Sequence, residues 1–356
     1  MLIFSILLHF KHFNFKIPDS SEQIFEQYID HFSDDSRTFS QRYFVNDKFV
    51  KDSKNINSVI IWIGDESTTI ESSVTNFSYV YLANETQSLL LSLEHRFFGH
   101  SFPFSSTSTE FLKYLTVDQA LSDLAYFITE KVKYNSQKET FCSSSKCSII
   151  VVGGSYSGSL SAWFRLKYPH LTTASWASSA PINVIDDFYQ YDSHISDLYY
   201  EYSPQCYDTL HQLFSKLSPT QKSEFNFTGS DISFLYSVAD CFSGPIQYQT
   251  KYPNLLSNIC TKVQQEQSLV GAFKMISSVF GYEPNDYDPQ NDFLKNTSIE
   301  GNPYVNLRSW SWMTCTQVGW FQTSVPSNLS IRSLRSSSIT LNFFDQVCKN
   351  LFNISR

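Results

Sequence analysis

Residues 151–158 constrain the fold of this chain more than any other stretch. They read Val-Val-Gly-Gly-Ser-Tyr-Ser-Gly, a β-branched run that passes through two glycines to Ser155 and on to a further glycine. A buried strand that turns tightly into a helix is the arrangement that holds a serine nucleophile at the edge of an α/β sheet. The residues around that serine must be small because strand and helix pack closely. The sequence therefore predicts that Ser155 is a nucleophile.

The chemistry at such a turn depends on its backbone as well as on its hydroxyl group. A serine hydroxyl is a weak nucleophile at neutral pH and needs a neighbouring base. We expect the backbone N–H of Tyr156 to point at the substrate oxygen as an oxyanion donor, helped by the positive end of the following helix. The usual motif is G-x-S-x-G, whereas here the second glycine, Gly158, comes one place later.

Two other interpretations of this turn were weighed. A glycine-rich turn between a strand and a helix can hold a phosphate, but the G-K-S/T ending and the G-x-G-x-x-G spacing are both missing. The other interpretation is that the turn only allows the strand and the helix to pack closely, and the sequence of the turn alone leaves this interpretation open.

Strands and helices are predicted to alternate in the first half of the chain. Apolar, β-branched runs predict strands at 59–63, 88–93, 148–152 and 173–178. Helical spacing after Thr116, which forms a capping box with Gln119, and again over 157–168 predicts the intervening helices. This alternation indicates parallel βαβ units and an α/β core over 16–185. The Tyr-, Gln- and Ser-rich stretch 186–330 is expected to be a mainly helical cap, and 331–356 to begin a return to the core.

Composition narrows the function classes. The formal net charge is −8 without a basic stripe, which argues against nucleic-acid binding, and there is no stretch of 18 apolar residues to span a membrane. The apolar start predicts a signal peptide over 1–15, with a wrongly annotated leader as the alternative. Seven cysteines without zinc spacing predict disulfides rather than a metal site, and no cofactor is implied. Six glycosylation sequons also favour secretion: Asn76, Asn84, Asn226, Asn296, Asn328 and Asn353.

A series of motifs in chain order resembles one peptidase family. The motifs are Asp30-His31-Phe32, Arg42-Tyr43-Phe44, Glu94-His95-Arg96-Phe97-Phe98-Gly99, Tyr114-Leu115-Thr116, the turn at Ser155, Ala177-Ser178-Ser179-Ala180-Pro181 and Cys315-Thr316-Gln317. Together they resemble the serine peptidases that include lysosomal Pro-X carboxypeptidase, dipeptidyl peptidase II and thymus-specific serine protease, the last being the most similar branch.

This resemblance implies both a fold and a reaction. The fold is an α/β-hydrolase core with an inserted helical cap. The reaction is that of an exopeptidase of the proline-directed carboxypeptidase or dipeptidyl peptidase class, in which Ser155 forms an acyl-enzyme with a peptide substrate. Gly64 and Asp65, at the end of an early strand, lie where the family has its second oxyanion side. The family also implies a homodimer and a secreted or lysosomal location.

The other two members of a catalytic triad are not visible in the sequence. In this fold the order is Ser, then Asp or Glu, then His, yet only His170, His194 and His211 follow Ser155. None of the three lies where the resemblance places the base. We therefore expect the C-terminal part of the core to be missing and Cys348 to have lost its partner. Three interpretations follow: a truncated peptidase, an inactive peptide-binding pseudoenzyme, or another hydrolase such as an esterase.

Overall fold

The computed structural model describes residues 21–281, 285 and 288–355. The predicted signal peptide, 1–15, lies outside the described residues. The strands are β1 (Ser21–Tyr28), β2 (Thr38–Asn46), β3 (Ser58–Ile63), β4 (Leu89–Leu93), β5 (Ser148–Gly154), β6 (Ala174–Ser178), β7 (Ile185–Asp187) and β8 (Gly319–Phe321). The helices are α1 (Ser78–Thr86), α2 (Thr109–Leu112), α3 (Val117–Phe127), α4 (Ser155–Lys167), α5 (Tyr189–Tyr202), α6 (Pro204–Ser215), α7 (Asp231–Gln247), α8 (Leu255–Glu266), α9 (Val270–Phe280), α10 (Val305–Met313) and α11 (Leu341–Phe352).

A six-stranded sheet organises the first of two units, whose described residues are 21–183 and 297–313. Its strand order is β1-β2-β4-β3-β5-β6. Strands β4, β3, β5 and β6 run parallel, while β2 is antiparallel to both β1 and β4. Helices connect the parallel strands, as right-handed crossovers require. This mixed sheet, with a helix starting directly after β5, confirms the predicted α/β-hydrolase core.

The four strands expected from apolar runs are all present, but the expectation that the last of them is buried was wrong, because β6 lies at the edge of the sheet and is largely exposed. The central ones are buried on both faces, which explains why they read as continuous hydrophobic runs rather than as alternating patterns. The predicted capping box is also formed in part: the side chain of Thr116 accepts a hydrogen bond of 3.1 Å from the backbone N–H of Gln119. The sequence did not predict the hairpin of β1 and β2. Exposed and buried residues alternate over only part of each strand, so the period-two pattern of a half-buried strand is incomplete.

The second unit is mainly helical, and its described residues fall within 184–296 and 314–355. Helices α5 to α9 and α11 belong to it, together with the short parallel pair β7 and β8. Its hydrophobic core is built largely from aromatic and aliphatic side chains of α6, α7, α8 and α9. The predicted segments, a core over 16–185, a cap over 186–330 and a return to the core over 331–356, stay a prediction. In the structure, residues 297–313 group with the sheet, and residues 314–355 group with the helical unit.

Six of the seven cysteines form disulfides in the described chain. The pairs are Cys142–Cys147, Cys206–Cys260 and Cys315–Cys348. The expectation that Cys348 lacks a partner was therefore wrong. Cys315 lies 33 residues earlier, in the helical turn Thr314–Val318, and its pairing with Cys348 in α11 depends on the tertiary packing of these two segments, which spacing in the sequence does not show. The cysteine that keeps its thiol is Cys241, buried in α7 with its sulfur 3.9 Å from Ser277 Oγ.

Candidate active site

The carboxyl ends of three parallel strands meet at one edge of the sheet. Trp62 in β3 pairs with Ser92 in β4 on one side and with Val152 in β5 on the other. The segments that leave these strands, 64–66, 94–96 and 154–156, are therefore neighbours. Ligands of α/β sheets bind outside the carboxyl ends of the strands, so this edge is where we looked for a site.

Ser155 lies in strained backbone at this edge. It is the first residue of α4 and follows β5 without a connecting loop. Its φ angle is +54°, a conformation that non-glycine residues rarely adopt. Such strain is typical of the turn that lifts a nucleophilic serine above the sheet. The structure thus places Ser155 in the geometry that the sequence predicted for a nucleophile.

The small residues around Ser155 are required by close backbone contacts. A Cβ atom on Gly153 would lie 2.0 Å from the carbonyl oxygen of Ser157, and one on Gly158 would lie 2.9 Å from that of Ser178. Ser157 explains the displaced second glycine. Its hydroxyl donates to the carbonyl of Gly154 and accepts from the N–H of Gly154, both at 3.0 Å, so it closes the first turn of the helix.

Tyr156, the residue after Ser155, has a fully buried side chain that fixes its position. Its ring packs on Trp310 with centroids 5.2 Å apart, and its hydroxyl lies 3.1 Å from His95 Nε2. Burial raises the pKa of the Tyr156 phenol well above its usual value, and the charge of Glu66 raises it further. The backbone N–H of Tyr156 belongs to the first turn of α4, the positive end of the helix, where oxyanion donors are found.

His95 holds this tyrosine and is not oriented as a base. Its Nδ1 lies 2.7 Å from the carbonyl oxygen of Arg96, so Nδ1 carries the proton and Nε2 accepts from the Tyr156 hydroxyl. Burial lowers the pKa of His95 to about 4. The imidazole is therefore neutral at physiological pH, and both of its nitrogens have hydrogen-bond partners.

We expect His95 to make the protein less stable in acid. In the unfolded chain His95 takes up a proton near pH 6.5, whereas in the fold it does so only near pH 4. Its contribution to the free energy of unfolding is present above pH 6.5 and is lost as the pH falls through 4, by roughly 3 kcal/mol for a shift of this size. Urea unfolding of His95→Gln between pH 7 and pH 4 should lack this component. His194→Gln, at an exposed position, is the control, and parallel curves for His95→Gln and the unaltered protein would contradict the assignment.

Gly64, the second residue predicted to donate to the oxyanion, lies at the carboxyl end of β3, next to the end of β5 that carries Ser155. Its N–H group, however, already donates a hydrogen bond. That N–H donates to the carbonyl oxygen of Leu93 at 2.8 Å. A Cβ atom at Gly64 would lie 2.6 Å from the same oxygen, so this glycine serves the close approach of β3 and β4. Any second oxyanion donor from this loop must come from the residues that follow, Asp65 or Glu66.

Asp65 and Glu66 form an acidic pair, of which sequence reasoning named only Asp65, as part of the second oxyanion side. Asp65 accepts hydrogen bonds from the hydroxyl and, at 3.0 Å, from the N–H of Ser67. Glu66 is only 5% exposed, and its Oε2 atom has no hydrogen-bond partner in the structure. Burial raises the pKa of both carboxyl groups. The sequence did contain a signal for this pair, because two consecutive acidic residues so close to the end of a buried strand are unusual.

The described residues do not supply a base to Ser155. No described side chain forms a hydrogen bond with its hydroxyl group. Of the histidines that follow it, His170 is exposed in the turn after α4, whereas His194 and His211 belong to the helical unit, where His211 Nδ1 lies 3.1 Å from the carbonyl oxygen of Ser333. The described site therefore contains the predicted nucleophile, Ser155, and the turn that carries it, but no described base beside its hydroxyl group.

Other predicted features were located as well. Over the residues that the structure describes, no group of three or more His, Cys, Asp or Glu side chains is arranged to hold a metal ion. No described helix combines the length and the hydropathy needed to cross a membrane. The asparagines of the six sequons are all exposed: Asn76, Asn84, Asn226, Asn296, Asn328 and Asn353.

Comparison with known proteins gives a family match across nearly all of the chain. The model of the family described as "Serine carboxypeptidase S28" matches residues 27–356. A protein of Arabidopsis thaliana named as a serine protease (EDA2) is 32% identical over 94% of this chain and 68% of its own length. A Caenorhabditis elegans protein named as a serine protease (F56F10.1) is 29% identical over 95% and 68%. Lysosomal Pro-X carboxypeptidase of Homo sapiens is 33% identical over 59% of this chain and 41% of that protein.

Solved structures with similar regions include hydrolases of several kinds. An esterase of the archaeon Pyrobaculum calidifontis is 12% identical over 51% of this chain and 50% of its own, with a TM-score of 0.33. One of two prolyl endopeptidases described together is 15% identical over 48% of this chain and 22% of its own, with a TM-score of 0.32.

Proposed function

Because the chain belongs to the serine carboxypeptidase S28 family, we propose that Ser155 is the nucleophile of a serine exopeptidase that forms an acyl-enzyme with peptide substrates. The observation that carries this proposal is the strained backbone of Ser155 at the junction of β5 and α4. In the reaction, Ser155 Oγ attacks the scissile carbonyl carbon, its proton passes to a base, and the peptide nitrogen leaves after protonation. The N–H of Tyr156 stabilises the developing oxyanion.

Both exopeptidase classes of the family remain within this proposal. A relative is named as a Pro-X carboxypeptidase, and the resemblance also includes dipeptidyl peptidases. Peptide substrates with proline near a chain end follow from the same family, as does a homodimer. Three disulfides and six exposed sequons support a secreted or lysosomal location.

The general base is proposed to be a histidine that the described residues do not place beside Ser155. The Arabidopsis relative extends beyond the part aligned with this chain, which is 68% of its length. A triad Asp and a later His in sequence beyond Arg356 would fit the order of this fold. The alternative function, a pseudoenzyme that binds peptides, is favoured by the lack of any described hydrogen-bond partner for Ser155 Oγ.

Labelling with a fluorophosphonate tests the nucleophile and the base together. We expect the 356-residue chain to label slowly at Ser155, because loss of triad members leaves only the contribution of the oxyanion hole and of binding. The product of a transcript that continues past Arg356 should label about 10³-fold faster or more, and Ser155→Ala should abolish labelling in both.

Each other outcome is informative. Rapid labelling of the 356-residue chain that depends on Ser155 would mean that the base lies within it. Failure of the longer product to label would contradict the nucleophile itself. Ser157→Ala is not a suitable control because Ser157 closes the turn; Ser145→Ala, at an exposed position before β5, leaves that turn intact.

A further inference from the structure

The turn that carries Ser155 is built almost entirely from small residues. Residues 153–159 read Gly-Gly-Ser-Tyr-Ser-Gly-Ser, so Tyr156 is the only large side chain among them. A strained backbone conformation such as that of Ser155 persists only where the surrounding structure holds it. The side chain of Tyr156 is therefore the largest anchor that this turn has in the rest of the protein.

The anchor of Tyr156 has an apolar part and a polar part. Its ring is 0% exposed and packs on Trp310 with centroids 5.2 Å apart. Its hydroxyl group lies 3.1 Å from Nε2 of His95. Ring packing fills space but allows small shifts, whereas a hydrogen bond is directional and fixes the end of the side chain. The position of the Tyr156 backbone thus depends on the position of His95.

His95 is held in one tautomer by its own backbone. Its Nδ1 donates to the carbonyl oxygen of Arg96 at 2.7 Å, which leaves Nε2 as an acceptor for the Tyr156 hydroxyl. The imidazole is 4% exposed, and Phe98 packs against it edge to face with centroids 5.1 Å apart. His95 therefore presents its acceptor nitrogen to Tyr156 from a fixed orientation.

The residues on either side of His95 are also fixed. Glu94 and Arg96 are both 0% exposed. Glu94 accepts hydrogen bonds from the Arg42 guanidinium at 2.7 and 3.2 Å and from backbone N–H groups. Arg96 uses its N–H groups on Asp123 and on backbone carbonyl oxygens. Such a rigid mount is what a group that must hold another in place requires.

We propose that His95 is a positioning residue for the reaction at Ser155: through the Tyr156 hydroxyl it keeps the Tyr156 N–H directed at the oxyanion. The inference rests on the proposed function and deepens it, because it adds a residue that acts on the oxyanion donor without touching the substrate. It requires the acceptor nitrogen of His95 and not merely the size of its ring. A side chain that offers an acceptor at the same place should keep the effect, whereas an apolar side chain should lose it.

Fluorophosphonate labelling of the 356-residue chain tests this role, because without a base its residual rate comes from the oxyanion hole and from binding. We expect His95→Leu and Tyr156→Phe each to slow the labelling of Ser155 about tenfold, since small misplacements of reacting groups lower rates steeply. His95→Gln should stay within about twofold of the unaltered protein, because its amide can donate to Arg96 and accept from Tyr156. The double variant His95→Leu/Tyr156→Phe should be no slower than the slower single variant, as expected for one shared bond. His194→Leu, at an exposed position in α5, is the matched control.

Backbone amide exchange over residues 154–160, followed by mass spectrometry, is a second readout that needs no reactive serine. His95→Leu and Tyr156→Phe should speed exchange in this segment about tenfold, and His95→Gln should not. Where Ser155 labels, the labelling rates decide the proposal. If Ser155 labels in none of the proteins, the proposed function fails, and amide exchange alone decides whether His95 holds the turn.

Two results would overturn the role of His95. One is equal labelling of all variants or, where Ser155 does not label, equal exchange in all of them. The other is a His95→Gln variant as impaired as His95→Leu, because the acceptor would then not matter. Equal labelling that depends on Ser155 would leave the proposed nucleophile in place. Should His95→Leu not fold, as judged by circular dichroism, Tyr156→Phe removes only one oxygen atom and decides by the same two readouts.

Discussion

Asp123→Ala is expected to lower the free energy of unfolding by about 3–5 kcal/mol, because it leaves a buried guanidinium without its counter-ion. Arg96 is 0% exposed and Asp123 is 2% exposed, so water cannot replace the lost carboxylate. Asp123 also holds His31, with His31 Nε2 at 2.8 Å from Oδ1. Equilibrium urea unfolding at pH 7 measures the change.

Arg96 explains why the effect should be large. It ties the end of β1, through Tyr28 and Ile29, to Tyr114 and to Asp123 in α3. Loss of the carboxylate therefore weakens a junction between the hairpin, the helix and the strand ends that carry the site.

The exposed pair Arg37–Asp35 is the matched control. It has the same two residue types and also includes paired hydrogen bonds, but the Arg37 side chain is 62% exposed. Asp35→Ala should lower the free energy of unfolding far less than Asp123→Ala, because solvent screens the exposed pair. A second comparison is the double variant Arg96→Met/Asp123→Leu, which removes both charges and should recover part of the stability lost in Asp123→Ala. Equal effects of Asp35→Ala and Asp123→Ala would contradict the argument from burial.

Removal of the Cys206–Cys260 disulfide is the second change with a large expected effect. The bond closes a loop of 54 residues and joins α6 to α8 inside the core of the helical unit. By loop entropy alone, the double replacement Cys206→Ala/Cys260→Ala should lower the free energy of unfolding by about 4 kcal/mol. Urea unfolding under non-reducing conditions, followed by far-UV circular dichroism, measures the loss.

The short disulfide Cys142–Cys147 provides the comparison. It spans only five residues, so the same treatment predicts a loss of about 2 kcal/mol for Cys142→Ala/Cys147→Ala. The difference between the two double variants is the quantity to test. A larger loss from the five-residue loop than from the 54-residue loop would show that packing, rather than loop length, sets the contribution of these bonds.

The sequence by itself determined the elements around the nucleophile. Continuous β-branched runs read as buried strands because both faces of a parallel sheet are covered. The glycines around Ser155 indicated a close strand-to-helix turn, because a Cβ atom on Gly153 or Gly158 would lie only 2.0 or 2.9 Å from a backbone carbonyl oxygen. These are local requirements, and each can be read from a few consecutive residues.

Other features were decided only by the tertiary structure. The partner of Cys348, the use of the Gly64 N–H by Leu93 and the role of His95 as a support for Tyr156 all depend on residues far apart in the chain. The same holds for Asp65 and Glu66. Their composition was visible, but only the structure shows that Arg42 and Arg96 pair with Glu94 and Asp123, whereas no described arginine pairs with Asp65 or Glu66. Short-range pattern fixes secondary structure, whereas the balance of buried charge is set by contacts between distant segments.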